Sequence, residues 1–154
     1  MRVILHNIRS VYNVGSIFRS ADGAGIERIY LTGFSPTPLD QFGQIRSDFH
    51  KTALGAEESV NWQQEKNIVD LIQELKSQGF TIVAVEQAPD SIVYTKAQLD
   101  LEKTILIFGH EVKGVDQSIL ALADQIIEIP MKGKKNSLNV SVAFGIVSYH
   151  YSSQ

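Results

Sequence analysis

The chain has 154 residues, 44% of them hydrophobic and 20% charged, with a formal net charge of -3 and no cysteine. This is the make-up of a soluble globular protein large enough for a real core, and it excludes disulfides, thiolate zinc sites and cysteine nucleophiles together. The slight acidity argues mildly against a nucleic-acid binder, and no apolar run approaches the roughly 20 residues that span a bilayer, so a cytoplasmic protein without a membrane partner is expected.

The opening MRVILHNI lacks the long apolar core and small-residue cleavage site of a signal peptide, so Val3 to His6 reads as a first strand. Val14 to Ala24 follows as a helix, with Asn13 as its expected N-cap and Gly15 keeping the first turn open. On the helical wheel Val14, Ile17, Phe18, Ala21 and Ala24 cover one side, and Arg19 falls on a small, polar face. It is either a solvated arginine partnered weakly by Asp22 or a side chain reaching toward a neighbour. Ile29 to Thr32 is the second strand. Phe34 to Asp48, with Pro36, Pro38 and Gly43, is the longest irregular stretch, of a length often used for lids or binding loops. Asn67 to Gln78 repeats Ile68, Leu71, Ile72 and Leu75 at helical spacing and stops at Gly79. Strands are expected at Thr81 to Val85, Thr104 to Phe108 and Ile126 to Ile129, and a short helix at Ser118 to Ala123.

The last predicted helix, Leu138 to Tyr151, is apolar nearly all round, with Ser141, Gly145, Ser148 and Ser152 forming a stripe of small side chains. Such a helix is buried on more than one side, either within its own fold or on a second copy in a homodimer. The continuous apolar strands alternate with helices. That pattern predicts an α/β fold over residues 1–154 as one domain, a mostly parallel sheet flanked by helices.

Three glycine- and amide-rich segments each follow a predicted strand: Asn13 to Arg19, Gly109 to Gly114, and Pro130 to Ser141. Parallel sheets hold ligands at such places, so the three read as parts of one composite site. Ser137 is the expected cap of the last helix, whereas Asn139 just inside it and Glu111 between glycines have no evident structural reason. Lys132, Lys134 and Lys135 form either a solvated turn or a phosphate contact. Several other chemistries fail on inspection. A Walker A pattern would need glycine where Glu128 stands and a hydroxyl where Lys135 stands. No GxGxxG follows a strand, no GxSxG is present, and His6, His50, His110 and His150 lack metal-ligand spacing, so no metal is expected.

Taken together, the segments resemble the motifs of the SpoU/TrmH family of RNA 2'-O-ribose methyltransferases, within the SPOUT class. Asn13-Val14-Gly15-Ser16-Ile17-Phe18-Arg19 is similar to N-x-G-x-x-x-R, Gly109 to Gly114 to G-x-E-x-x-G, and Ile129 to Ser141 to I-P-M-x-G-x-x-x-S-L-N-x-S. The resemblance implies a C-terminal trefoil knot, a homodimer with its active site near the interface, and S-adenosylmethionine as methyl donor. It implies Arg19 as the residue acting on the ribose hydroxyl, with Asn13, Glu111, Ser137 and Asn139 around it; Glu111 holds Arg19 or shapes the RNA pocket, and Asn13 orients Arg19 or the ribose. The cofactor would lie against Leu106, Phe108, Gly109, Glu111, Gly114, Ile129, Met131, Ser137 and Leu138. RNA would be gripped by Arg9, Arg19, Arg46, Lys51 and the lysines Lys132, Lys134 and Lys135. Transfer RNA is the preferred substrate and ribosomal RNA the alternative. A non-catalytic RNA-binding module and a base-methylating SPOUT enzyme are the rival readings.

Overall fold

A computed structural model describes residues 1–153. Seven strands, β1 (Arg2–His6), β2 (Arg28–Thr32), β3 (Trp62–Glu65), β4 (Thr81–Val85), β5 (Ile92–Val93), β6 (Thr104–Phe108) and β7 (Gln125–Glu128), form one sheet in the order β3-β2-β1-β6-β4-β7-β5. Every pairing is parallel, so the expected α/β architecture holds and the sheet is wholly, not mostly, parallel. The helices are α1 (Val11–Gly23), α2 (Ser47–Ala53), α3 (Ala56–Ser59), α4 (Ile68–Ser77), α5 (Gln117–Leu120) and α6 (Val140–Ser152).

Strand periodicity divides the core between the two faces of the sheet. Val3 and Leu5 of β1, with Leu106 and Phe108 of β6, pack under α1, α2 and α6, where they meet Val14, Ile17, Phe18, Phe49, Phe144 and Val147. Their neighbours Ile4, Ile105 and Ile107 face the other way, onto Leu71, Ile72 and Leu75 of α4 and Ile119 of α5. Burial on both faces is why the central strands read as continuous apolar runs.

The helix starts differ from expectation. Ser10 caps α1 by accepting the N–H of Asn13 at 3.3 Å, so the helix begins at Val11 and Asn13 lies inside its first turn. Gly15 is buried in the contact between α1 and α2, beside the Phe49 carbonyl and Thr52, which a Cβ would strike. Asn139, not Ser137, caps α6, accepting the N–H of Ser141 at 2.8 Å. In α4, expected from Asn67 to Gln78, Asn67 is the cap, accepting from Val69 at 2.9 Å, and the helix runs Ile68–Ser77. Two strands and two helices have no counterpart in the sequence pattern. The edge strands β3 and β5 are four and two residues long, and α2 and α3 are seven and four residues long.

Candidate active site

At the carboxyl ends of β4, β6 and β7 the sheet opens into a cleft of about 630 Å³, well within the size of small-molecule sites. Val85, Phe108, Ile129, Leu138 and Val140 give it apolar walls, and Glu86, Gln87, His110, Glu111, Asn136 and Ser137 its polar groups. Two loops are clamped around it. His110 and Gly114 exchange backbone hydrogen bonds of 3.0 and 2.8 Å, closing the turn after β6. Gly109 begins that turn so close to Gly114 and Val115 that a Cβ there would strike backbone. Glu86, just beyond β4, accepts the N–H of Val115 at 2.9 Å. Gln87 donates its side-chain amide to the Asn136 carbonyl at 2.7 Å, tying the end of β4 to the loop after β7.

The three motif segments meet at one end of this cleft. Glu111 accepts the backbone N–H groups of Arg9 at 3.0 Å and Ser10 at 2.9 Å, and the side-chain amide of Asn13 at 3.0 Å. Asn139 in turn donates to Asn13 Oδ1 at 3.1 Å. Burial by itself pushes the Glu111 carboxyl up, but the N–H groups of Arg9 and Ser10 and the Asn13 amide outweigh it, and the pKa lies below the usual carboxylate value. Glu111 is therefore an anion seated at the start of α1, where the helix dipole also favours it.

Of the expected cofactor contacts, Phe108, Gly109, Glu111, Gly114, Ile129, Met131, Ser137 and Leu138 line the cleft. Leu106 does not: it is fully buried under the helices, two residues back along β6. Val85, which ends β4, the next two residues Glu86 and Gln87, and Asn136 line the cleft without having been expected there.

Arg19 is not part of the cleft wall. It is exposed on α1 in a second hollow of about 460 Å³, with Ser16, Ser20, Lys51, Thr52 and Tyr149. Within one chain the hydrogen-bond partners of Asn13 and Glu111 do not include it: Glu111 holds Arg9, Ser10 and Asn13 at the start of α1, and Asn13 carries the link on to Asn139 at the start of α6. Lys51 does stand beside Arg19. Arg46 is paired bidentately with Asp48, at 3.1 and 2.9 Å, which takes up much of its charge. The side chains of Arg9, Lys132, Lys134 and Lys135 are exposed.

A family model described as the SpoU rRNA Methylase family matches residues 1–149. The chain belongs to that family. Over 150 residues, 97% of this chain, it is 31% identical to the tRNA (guanosine(18)-2'-O)-methyltransferase of Escherichia coli, and it spans 61% of that protein. It is 30% identical to the 23S rRNA (guanosine-2'-O-)-methyltransferase RlmB of Pseudomonas aeruginosa over 92% of this chain and 54% of the relative. The chain thus spans little more than half the length of these curated family members. The crystal structure of the TrmH/SpoU tRNA modifying enzyme of A. aeolicus superposes with a TM-score of 0.84 at 31% identity, over 99% of this chain and 74% of that one.

Proposed function

We propose that this protein is an S-adenosylmethionine-dependent RNA methyltransferase acting on a ribose 2'-hydroxyl, with residues 1–154 as the catalytic domain. The observation that carries this reading is the junction of Glu111, Asn13 and Asn139, which joins three family motifs at one end of the cleft. The residues fit the cofactor. The cleft has the volume for a nucleoside with an amino-acid arm, with apolar walls for the base and polar side chains such as Glu86, Gln87 and Ser137 beside them. Phe108, Gly109, Gly114, Ile129, Met131, Ser137 and Leu138 would hold it. When bound, the donor supplies an electrophilic methyl carbon on a cationic sulfur, so no metal is needed.

The remaining difficulty is the nucleophile, since a ribose hydroxyl is a very weak acid and must be held in line at about 3 Å. An arginine, with its pKa above about 12, is a poor base but a strong anion clamp. In this reading Arg19 grips the phosphate next to the target ribose and stabilises the charge growing on the attacking oxygen, whose proton passes to that phosphate. Glu111, Asn13 and Asn139 act as positioning residues that fix α1, and so Arg19, relative to the cleft. Ser137 contacts substrate at the cleft mouth. Lys51, Arg9 and the loop of Lys132, Lys134 and Lys135 supply further phosphate contacts, with Arg46 the weakest because it is already paired.

The reading includes a homodimer. Val142 and Tyr149 on the outer face of α6 are 49% and 47% exposed, and Tyr149 also borders the Arg19 hollow. A second copy on that face would bring Arg19 of one chain toward the cleft of the other. It includes, too, a trefoil knot in the cytoplasmic enzyme's C-terminal half. The path from β5 at the sheet edge to β6 and back to β7 between β4 and β5, with the Gln87–Asn136 tether, supports it.

Transfer RNA is the preferred substrate, because the A. aeolicus enzyme, matched over 74% of its length, is described as tRNA-modifying. Ribosomal RNA is the second reading, supported by the Pseudomonas relative. Incubation with methyl-labelled cofactor and either bulk tRNA or ribosomal RNA, then digestion to nucleosides, should place the label on ribose; label on a base, or none despite cofactor binding, overturns the assignment. Mixing Arg19→Ala with a cleft-blocked Leu138→Trp variant should restore activity if the site is shared between copies, and no restoration removes the shared site.

A further inference from the structure

Phe34 is a large apolar side chain left 57% exposed, yet the turn that carries it is heavily constrained. Asn7, at the end of β1, adopts a left-handed φ of 56°, which non-glycine residues rarely take. Its N–H donates to the Thr32 carbonyl at 3.2 Å, and its side-chain oxygen accepts the N–H of Phe34 at 3.2 Å. That bond fixes which end of the Asn7 amide points onward. Its nitrogen meets Nε2 of buried His6 at 3.0 Å, and Nδ1 of His6 meets Thr32 Oγ1 at 2.8 Å. Gly33 is required, with φ of 64° and Asn7 Oδ1 where a Cβ would be. Ser35 closes the turn, donating to the Leu5 carbonyl at 2.8 Å and accepting from the Ile8 N–H at 3.0 Å. A backbone of this kind persists where the surroundings over-determine it. Packing gives no reason to hold an exposed ring so firmly.

The ring's neighbour supplies one. Phe34 meets His110 edge to face, with centroids 5.9 Å apart and planes at 82°. His110 lines the cleft whereas Phe34 does not. The imidazole is itself fixed, because its Nδ1 accepts the N–H groups of Val112 at 2.9 Å and Lys113 at 3.3 Å. Two oriented aromatic rings therefore stand together on the outer side of the cleft mouth, flanked by Lys113. Proteins that read single-stranded RNA stack unpaired bases on such rings. A ribose brought to the cleft mouth carries its own base and its neighbours within reach of this pair.

We propose that the exposed ring of Phe34, braced by His110 set nearly at right angles to it, is a stacking platform for a nucleobase of the RNA, at the target nucleotide or next to it; this rests on the RNA-methyltransferase reading. Stacking is worth roughly 1–3 kcal/mol per base, or about 5- to 150-fold in affinity. Phe34→Ala should raise the KM for bulk tRNA by that factor, with kcat and the affinity for S-adenosylhomocysteine little changed. Phe34→Tyr should restore KM and Phe34→Leu should not, because the leucine keeps apolar bulk but has no ring. Trp62 is the sole tryptophan, so Phe34→Trp in a Trp62→Phe background gives a single probe. Its fluorescence should be quenched by bulk tRNA and left unchanged by S-adenosylhomocysteine alone. An unchanged KM in Phe34→Ala, full recovery by Phe34→Leu, or quenching by S-adenosylhomocysteine alone would overturn the platform. Failure of the underlying reading looks different: the unsubstituted protein would transfer no methyl group, while the tRNA titration of the tryptophan probe would remain readable.

Discussion

Replacing Glu111 by glutamine tests whether the carboxylate locks the motif segments together by charge. One oxygen accepts both the Ser10 N–H and the Asn13 amide, and the other accepts the Arg9 N–H. The amide of Glu111→Gln can keep the first pair, but its NH2 then faces the Arg9 N–H, donor to donor. One charge-assisted bond is lost, at the low end of roughly 1.5–3 kcal/mol because the Arg9 side is exposed to water. The anion at the start of α1 goes too, about 0.3–1 kcal/mol. The sum is about 2 kcal/mol, which in a protein of this size lowers Tm by roughly 4–8 °C. The folded pKa of Glu111 is depressed, so the charge-dependent stability is present above the unfolded value of about 4.3 and is lost as pH falls through the lower folded value. Thermal unfolding of both proteins should therefore show a constant gap at neutral pH that narrows below about pH 4. Identical melting at pH 7, or a gap indifferent to pH, would refute the reasoning.

Arg19→Ala should slow methyl transfer by about 10²-fold or more while S-adenosylhomocysteine still binds, as expected for a lost anion clamp, and near-normal turnover would remove the assignment. Changing Lys132, Lys134 and Lys135 together to alanine should weaken RNA binding and flatten its dependence on salt, by roughly 0.7–0.9 in the log–log slope for each phosphate no longer neutralised; an unchanged slope takes that loop out of the interface. Burial holds the His6 imidazole below its ordinary pKa, with Asp116 opposing more weakly. The unfolded chain therefore binds that proton more readily, and stability present above about pH 6.5 should fall as pH drops through that value. The Tm gap between the unsubstituted protein and His6→Asn should shrink from pH 7.5 to 5, and parallel curves would exclude His6 as the cause.

The elements legible in the sequence are those with enough buried apolar residues to set a pattern. β1, β2, β4 and β6 are largely buried apolar runs because helices cover both sides of the sheet, and β7 shows itself only by Ile126 and Ile127. The edge strand β3 carries exposed Gln63 and Gln64 and has no such pattern. In α2 only Phe49 and Ala53 are buried, too few to mark a helical period against the loop around them. The start of α1 is ambiguous in the sequence because Ser10 and Asn13 are both good caps. Ser10 prevails because a helix from Val11 places Val11 on the face shared by Val14, Phe18 and Ala21. The cleft residues beyond β6 and β7 were legible through their motifs, whereas Glu86 and Gln87 carry no motif and become visible only when parallel pairing sets β4 between β6 and β7.

Side-chain identity at the motif junction follows from a chain of donors and acceptors. Glu111 can only accept, and it stands before N–H groups of the α1 start. Position 13 must donate to it and still accept from α6, which an amide does with one side chain; aspartate there would set two anions against each other. Position 139 must accept the N–H of Ser141 to cap its own helix while donating to Asn13. Serine could cap α6 but is too short to offer a second, divergent donor, and aspartate could cap it but could not donate. Asparagine therefore does at 139 what the chain would not need if capping were its only task, and the residue that looked unexplained in the sequence is the one that carries the link from the α6 start through Asn13 to Glu111.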